Sequence, residues 1–574
     1  MGLLQTSQNL GQVPDEKAKE RLYIGLLLAI VVFAYGNTLV NAFTMDDINL
    51  YIVRNTQVTH PSLRALVTPH PATNVFRPVT FGTFAFDWKI SGGRPLLFHL
   101  VNLALHAAVT LLLYLLLQSV FQASPDGKAV ALACAVLFAA HPIHTEAVTS
   151  VVGRAELLAA GFLLAAWILH IRDREIGALL CFALALLSKE SAVVFLPLVA
   201  IGDYARGGWK PATRYLRIAG LTILYVGVLW KVQGGRFGPA DIPRLDNPLA
   251  GIPAGWRIAN ALRVAWKYVG LQFYPATLSC DYSFNQIPVY LDWRHALPAA
   301  IATVAAVGGW IWAIWKRQYP LVVAGGIYFA GFSTTANILV PIGTIMGERL
   351  AYLPSAGFCL LIALAWNWLR NRERKIAVAA LAVLVALLAV RTVARNRDWK
   401  DNLTLYSATV RAAPDSAKMH LDLGGTYIEI GQLDPARKEL QKALNIDPDY
   451  PYALEAAGLI ESWNHNYTAA GQLMEKALYL ARRGDPNYDD MAVNLAGMYM
   501  QTNHLDSALG LLNREIGESP GYARAWSNRA VIRYKRGEMA LAQADADAAL
   551  RLDPGNKQAQ NVKNLLRAST PSLR

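Results

Sequence analysis

The chain has 574 residues, of which 54% are hydrophobic and 17% are charged, with a formal net charge of +13 at pH 7. This composition is too apolar for an ordinary soluble protein of this length. The positive charge does not indicate a nucleic-acid partner, because many Lys and Arg residues lie in short loops between apolar blocks, where such charges set membrane orientation.

The apolar residues form long blocks up to about residue 393, and the rest of the chain has the pattern of soluble helices. This predicts an all-α protein with a polytopic membrane domain at 1–396, a linker at 397–416 and a soluble domain at 417–574. The cysteines lie in or beside apolar segments without metal-like spacing, which predicts packed thiols and no disulfide framework. They are Cys134, Cys181, Cys280 and Cys359.

About eleven membrane spans are predicted from the apolar blocks. They lie near 22–41, 97–121, 129–145, 150–171, 176–189, 190–204, 214–231, 297–315, 320–340, 350–369 and 376–393. The stretch Ile176 to Ile201 has two interpretations, one long helix or two short helices that meet at Lys189 and Glu190. One helix would bury both charges in the bilayer, whereas two helices keep the basic loops on the side of the basic N-terminus. We favour the pair.

This topology places the N-terminus in the cytoplasm and the soluble domain outside it. The outside is the periplasm for a bacterial inner membrane, or the lumen of the endoplasmic reticulum for a eukaryotic protein. The charged and polar candidates for a functional site then fall in the non-cytoplasmic loops or in the adjoining helix turns. They are Asp46, Asp47, Arg77, His141, His144, Glu146, Arg154, Glu156, Lys189, Glu190, Glu348 and Arg349.

The stretch FTMDDINLYI, residues 43–52, follows the first span and contains the adjacent carboxylates Asp46 and Asp47. It has two interpretations: a solvated acidic loop, or a reaction centre at the bilayer surface in which one carboxylate takes a proton. Adjacency gives no physical ground for ranking the two acids, and we favour Asp47 slightly.

Other candidates also have alternatives. His141, His144 and Glu146 carry metal-ligating side chains, but they do not share one helical face, so polar contacts compete with a divalent-cation site. Arg154 and Glu156 fit either a structural pair or a phosphate site, because a guanidinium donates two charge-assisted hydrogen bonds. No cofactor is required by the pattern, and the common hydrolase and nucleotide-binding motifs are absent from the sequence.

A carboxylate base and cations for a departing phosphate, on a face without nucleotides, favour a sugar donor activated by a lipid phosphate. Binding at the membrane surface would bring this lipid and its acceptor together.

A repeat of about 34 residues begins after residue 416, with small residues at the positions where paired helices pack and proline at three repeat ends. This predicts an α-solenoid of tetratricopeptide repeats that binds polypeptide. The units are 417–450, 451–484, 489–522 and 523–556, followed by a cap at 557–574.

The sequence also resembles the transmembrane and tetratricopeptide-repeat-containing proteins, through nearly its whole length. The resemblance is carried by DD (46–47), FRPVT (76–80), FHLVNLALHA (98–107), HPIHTEAV (141–148), GRAE (153–156), LLSKE (186–190), DNP (246–248), LSCDYS (278–283), GERLAYLPSAGFCLL (347–361), RNRDW (395–399) and the repeats. The short loops are typical of a prokaryotic member.

This resemblance implies a glycosyltransferase fold of the GT-C class, which transfers mannose from a lipid phosphate to protein hydroxyls, with catalysis at Asp46 or Asp47. Partners would be a polyprenyl- or dolichyl-phosphate sugar, an acceptor polypeptide and membrane lipid, with no nucleic acid. Two alternatives remain: a non-catalytic membrane scaffold whose repeats recruit partners, and a transferase acting on a lipid or glycan.

Overall fold

The computed structural model describes residues 16–235, 242–483, 485 and 487–569. These residues form helices and connecting loops without any strand, so the all-α prediction is confirmed. The chain divides into two compact units, Met1–Pro414 and Asp415–Arg574, which we name the membrane unit and the repeat unit.

The described part of the membrane unit contains seventeen α-helices, joined by short 3-10 segments and loops. They are α1 (Glu16–Tyr35), α2 (Thr56–Thr59), α3 (Leu63–Leu66), α4 (Pro78–Ser91), α5 (Pro95–Val120), α6 (Gly127–Ala140), α7 (Thr145–Thr149), α8 (Arg154–Ile171), α9 (Glu175–Ser188), α10 (Phe195–Ala205), α11 (Ala212–Val232), α12 (Ala254–Phe273), α13 (Trp293–Trp315), α14 (Tyr319–Ser333), α15 (Tyr352–Arg370), α16 (Arg374–Asp398) and α17 (Asn402–Ala412).

Seven helical segments among the described residues are long and apolar enough to cross a membrane, and a bent pair formed by α6 and Pro142–Thr149 can add an eighth. The seven contain α1, α5, α8, α11, α13, α15 and α16. The chain is therefore a multi-pass membrane protein. Every predicted span coincides with a helix, but α9, α10 and α14 are short, and the count of eleven spans stays a prediction.

The apolar stretch from Ile176 to Ile201 is broken at the two charges that interrupt it. Helix α9 ends at Ser188, Lys189 is extended, and a 3-10 segment, Glu190–Val194, precedes α10. A continuous helix would leave both side chains in hydrocarbon, where charges are costly. The break instead lets both make ion pairs with residues of other elements.

One apolar core, which includes Phe138, Trp167 and Phe182, is formed mainly by helices α1, α5, α6, α8, α9, α10, α14, α15 and α16. Close approach of α14 and α15 requires glycine at position 357, because a Cβ there would lie 2.4 Å from the carbonyl oxygen of Ala324. All four cysteines are free thiols, as predicted, and Cys134, Cys280 and Cys359 are buried.

The segment 397–416, predicted as a linker, contains α17. Asp401 caps this helix, since its carboxylate accepts a hydrogen bond from the backbone N–H of Thr404 at 2.8 Å. The thiol of Cys280 packs 3.0 Å from the hydroxyl of Thr409. Helix α17 is thus part of the membrane unit.

The repeat unit consists, in its described residues, of four helix pairs and a final helix, at the positions where the periodicity predicts them. The helices are α18 (Ala417–Glu429), α19 (Leu433–Ile446), α20 (Pro451–Trp463), α21 (Tyr467–Leu480), α22 (Tyr488–Gln501), α23 (Leu505–Glu518), α24 (Ala523–Lys535), α25 (Met539–Leu552) and α26 (Lys557–Ser569). Residue 484 of the second predicted unit and residues 570–574 of the predicted cap lie outside the described residues.

Candidate functional site

The turn that carries the two adjacent acids is anchored by Asp47. Its carboxylate is fully buried and accepts hydrogen bonds from the backbone N–H groups of Thr44 (3.2 Å), Val152 (3.0 Å) and Val151 (3.4 Å). Burial raises the pKa of Asp47 to about 7, although these three donors favour the ionised form. Asp47 therefore joins the first loop to the turn that precedes α8.

That turn, the 3-10 segment Val151–Gly153, is also fixed from its other side. The side-chain amide of Asn102, in α5, donates to the carbonyl oxygens of Ser150 (3.1 Å) and Val151 (3.4 Å). Gly153 is required by close packing, since a Cβ there would lie 2.3 Å from the carbonyl oxygen of Ala147. The position of the acids thus depends on α5 and α8.

Arg154, predicted to bind a phosphate or to pair with Glu156, is fully buried. It makes an ion pair with Asp87 at 2.6 Å, and its Nε donates to the side-chain oxygen of Asn102 at 2.9 Å. Its Nη2 donates to the carbonyl oxygen of Phe98 at 3.0 Å. These internal partners occupy the donors that a phosphate would need. Arg154 therefore supports the turn through Asn102, and it is not paired with Glu156.

Asp46 differs from Asp47 both in its exposure and in its hydrogen bonding. Its side chain is partly exposed, and no described residue donates a hydrogen bond to its carboxylate. It lies within electrostatic range of Arg349 and of Tyr51. The carboxylate of Asp46 is therefore accessible, whereas that of Asp47 is enclosed, and the identity of the base stays a prediction.

Arg349 is held by Glu146 and keeps part of its guanidinium accessible. An ion pair joins Nη1 of Arg349 to Glu146, and the backbone N–H of Arg349 donates to the same carboxylate at 2.9 Å. The Glu146 side chain is 1% exposed, whereas that of Arg349 is 34% exposed. The buried acid fixes the orientation of the fork and leaves guanidinium donors for a ligand.

Four further predicted residues form two ion pairs nearby. Arg77 donates to Glu190 through Nε (3.0 Å) and Nη2 (2.7 Å), and Lys189 is paired with the largely buried Glu156. Arg77 and Arg349 both lie within electrostatic range of Glu156, so the two pairs and the Arg349–Glu146 pair belong to one cluster. Alternation of sign within this cluster compensates the cost of enclosing its charges.

The remaining predicted residues are engaged in packing. His141 donates to the carbonyl oxygen of Gln272 (3.0 Å) and His144 bonds to the hydroxyl of Ser355 (2.6 Å). Glu348 is fully buried and accepts from the N–H of Ser279 (2.6 Å) and from the hydroxyl of Tyr282 (2.7 Å). In the described residues no group of three or more His, Cys, Asp or Glu side chains is arranged to hold a metal ion.

Three residues of this region are absent from the predicted site residues: Asp87, Asn102 and Tyr51. Asn102 had a detectable signal, because it and Gln118 are the only two side-chain amides in the 26-residue apolar helix α5. Asp87 was in the same loop as the predicted acids but had no visible partner in the sequence. Tyr51 reads as an ordinary apolar residue, and only the fold brings it near Asp46 and Arg77.

The repeat unit has a separate cleft of about 370 Å³ between its second, third and fourth helix pairs. Aromatic and amide side chains share this surface with one guanidinium. The lining residues include Trp463, His465, Tyr467, Asn494, Arg524 and Asn528.

These features define a class: a multi-pass membrane protein that combines a charged site in its membrane unit with tetratricopeptide repeats. The family described as "Tetratricopeptide repeat" matches residues 395–460 and 494–557. Solved structures also match part of the chain, among them YrrB, titled a TPR protein with an unusual peptide-binding site (18% identity, 35% of this chain and 98% of that chain, TM-score 0.25). MamA matches at 23% identity over 26% of this chain and 81% of its own, with a TM-score of 0.23.

Relatives of the whole chain are named as protein O-mannosyl-transferases. The chain is 32% identical over 458 residues to Protein O-mannosyl-transferase F38B6.6 of Caenorhabditis elegans, covering 76% of this chain and 65% of the relative. It is 26% identical over 613 residues to Protein O-mannosyl-transferase TMTC3 of Mus musculus, covering 95% and 65%. The chain spans about two thirds of the length of these relatives. The resemblance to the transmembrane and tetratricopeptide-repeat-containing proteins is confirmed.

The anchoring role of Asp47 predicts a specific pH dependence of stability. The pKa of Asp47 is raised from about 4 in an unfolded chain to about 7 in the folded protein, so folding costs progressively more as pH rises from 4 to 7. Each unit corresponds to about 1.4 kcal/mol. The Asp47→Asn variant lacks this titration, so its stability relative to the original protein should rise over that range, measured by thermal unfolding in detergent.

Asp434→Asn provides the control, because this carboxylate is 89% exposed. Its unfolding temperature should follow that of the original protein at every pH. Parallel curves for Asp47→Asn and the original protein would contradict a buried, titrating Asp47.

Proposed function

We propose that the chain is a membrane glycosyltransferase that moves one mannose from a polyprenyl- or dolichyl-phosphate carrier to a Ser or Thr hydroxyl of a protein on the non-cytoplasmic face. The names of the relatives support transfer of mannose to protein. The observation that carries the proposal is the proximity of an accessible carboxylate, Asp46, to a partly exposed and oriented guanidinium, Arg349.

Asp46 acts as the general base in this proposal. Its carboxylate takes the proton of the acceptor hydroxyl while the hydroxyl oxygen bonds to the anomeric carbon of the sugar. The bond between that carbon and the phosphate oxygen breaks on the opposite side, so the anomeric configuration inverts. Base and leaving group are thus handled by different residues of one cluster.

Arg349 receives the charge that leaves with the lipid phosphate. A guanidinium forms two parallel hydrogen bonds to phosphate oxygens, and Glu146 holds it in place before the donor arrives. Arg77 and Lys189 are neutralised by Glu190 and Glu156, so they contribute the shape and field of the site, whereas Arg349 contributes accessible donors.

The repeat unit selects the acceptor polypeptide. Its cleft combines aromatic side chains, which bind apolar and amide surfaces, with Asn528, whose amide can donate to and accept from a peptide backbone. Asn494 is held in the same cleft by hydrogen bonds with Glu455 and Arg524. Asn494 and Asn528 occupy the same position in successive repeats, which suits the regular spacing of an extended chain.

Replacement of Asp46 tests the reaction. In purified protein supplied with polyprenyl-phosphate mannose and a hydroxylated acceptor protein, Asp46→Asn should lower the transfer rate by about two to four orders of magnitude, while donor binding persists. Asp434→Asn should transfer at the original rate.

A normal rate for Asp46→Asn would remove Asp46 as the base. Absence of transfer by the original protein, with capture of a protein partner intact, would favour the scaffold function. Transfer to a lipid or glycan in place of protein would identify a different acceptor class.

Two arginine variants separate phosphate recognition from support of the fold. Arg349→Lys keeps the charge but loses the planar fork, so affinity for polyprenyl phosphate should fall about tenfold without a change in unfolding temperature. Arg154→Lys should instead lower the unfolding temperature, because the buried partners of the guanidinium lose donors. Donor titration and thermal unfolding of both variants provide the measurement, and unchanged affinity in Arg349→Lys would contradict its role.

Acceptor selection is tested at Trp463, which lines the cleft and is 49% exposed. Trp463→Ala should raise the KM for a full-length acceptor protein several-fold and leave transfer to a short peptide unchanged, since a short peptide does not depend on binding to the cleft. Tyr479→Ala removes an exposed aromatic ring outside the cleft and should change neither value. Equal effects of the two variants would argue against the cleft.

A further inference from the structure

The turn that carries Asp46 is held by the helix that follows the last long apolar segment. The side-chain oxygen of Asn402, the first residue of α17, accepts a hydrogen bond from the backbone N–H of Met45 at 2.9 Å. The carbonyl oxygen of Lys400, two residues before Asn402, accepts a hydrogen bond from the backbone N–H of Ala42 at 2.9 Å. Asn402 thus contacts the residue directly before Asp46.

The side chain of Asn402 is free for this contact because its neighbour performs the capping. Asp401 is the N-cap of α17 and accepts from the N–H of Thr404 at 2.8 Å. The hydrogen bond between Asn402 and Met45 is therefore not needed to begin α17.

Met45 has an unusual backbone conformation, with φ of +50°. Residues with a side chain rarely occupy this left-handed region, and they remain there only where the surroundings determine it. Here the backbone N–H of Met45 donates to Asn402, and the carbonyl oxygen of Met45 accepts a hydrogen bond from the N–H of Ile48 at 3.1 Å. The strained residue lies immediately before the candidate base, so its conformation sets the direction in which Asp46 leaves the chain.

We propose that Asn402 is a positioning residue for Asp46, which it orients through the backbone of Met45. This inference rests on the proposed function, since it concerns the base of that reaction. Asp47 fixes the distal side of the same turn through Thr44, Val151 and Val152. Between these two anchors, Asp46 alone keeps a carboxylate without a described hydrogen-bond partner.

Loss of the acceptor oxygen should affect the rate rather than binding. In Asn402→Ala, kcat for mannose transfer should fall about 10- to 100-fold, because a misplacement of about 1 Å has an effect of this size. The KM values for lipid donor and acceptor should stay within about twofold, since no residue of the phosphate site or the cleft is changed.

Asn402→Asp keeps an acceptor oxygen at the same place and adds a negative charge near Asp46. We expect kcat of this variant to recover to within a few-fold of the original value. The added charge disfavours ionisation of Asp46, so the acidic limb of the kcat–pH profile should move to higher pH. Loss of kcat in Asn402→Ala together with its recovery in Asn402→Asp would assign the effect to the acceptor oxygen at this position. Asn445→Ala, at an exposed position of α19, should leave kcat, KM and the profile unchanged.

The outcomes separate the two proposals. Absence of mannose transfer by the original protein, or transfer that does not need Asp46, overturns the proposed function. Transfer that needs Asp46 but proceeds at the original kcat in Asn402→Ala overturns the positioning role of Asn402 alone. If Asn402→Ala does not fold, an unmoved acidic limb in Asn402→Asp overturns the positioning role.

Discussion

The buried carboxylate of Asp47 accepts three backbone hydrogen bonds, and the arrangement of the candidate site depends on this interaction. Two of the donors lie in the turn before α8, so the first loop cannot move independently of the membrane helices. Asn102 and Arg154 extend the same network into α5 and α4. A short acidic turn is thereby given the rigidity of a helical core, which is what a reacting group requires of its support.

The cluster around this turn contains charges that are paired with one another and two charged groups that remain accessible. Arg77, Lys189 and Arg154 are each paired with a carboxylate. The carboxylate of Asp46 has no hydrogen-bond or ion-pair partner among the described residues. Arg349 keeps exposed donors in addition to its pair with Glu146. Enclosed ion pairs contribute little net stability, because desolvation offsets their attraction. Their value here lies in holding the surrounding elements in register while two groups of opposite sign stay accessible.

The helices of the membrane unit and the repeats could be predicted from the sequence, because both follow from periodic burial of apolar or small residues along the chain. The break at Lys189 was also predictable, since a continuous helix carries an evident cost. The pairing of charges was not. Arg154 binds Asp87 and Glu156 binds Lys189, and contacts between helices far apart in sequence leave no trace in local spacing. For the same reason Asp46 and Asp47 are indistinguishable as letters, and only burial separates a structural carboxylate from an available one.

The hydrogen bond from Met45 to Asn402 joins residues separated by 357 positions. Closing such a long loop is entropically costly and occurs late, after local helices have formed. A chain made from its N-terminus exposes the acidic turn early but cannot complete it until α17 has been synthesised. The nascent membrane helices therefore carry all the charged side chains of the site but still lack its geometry. The site can be completed only after the segment that leads into the repeats has been made.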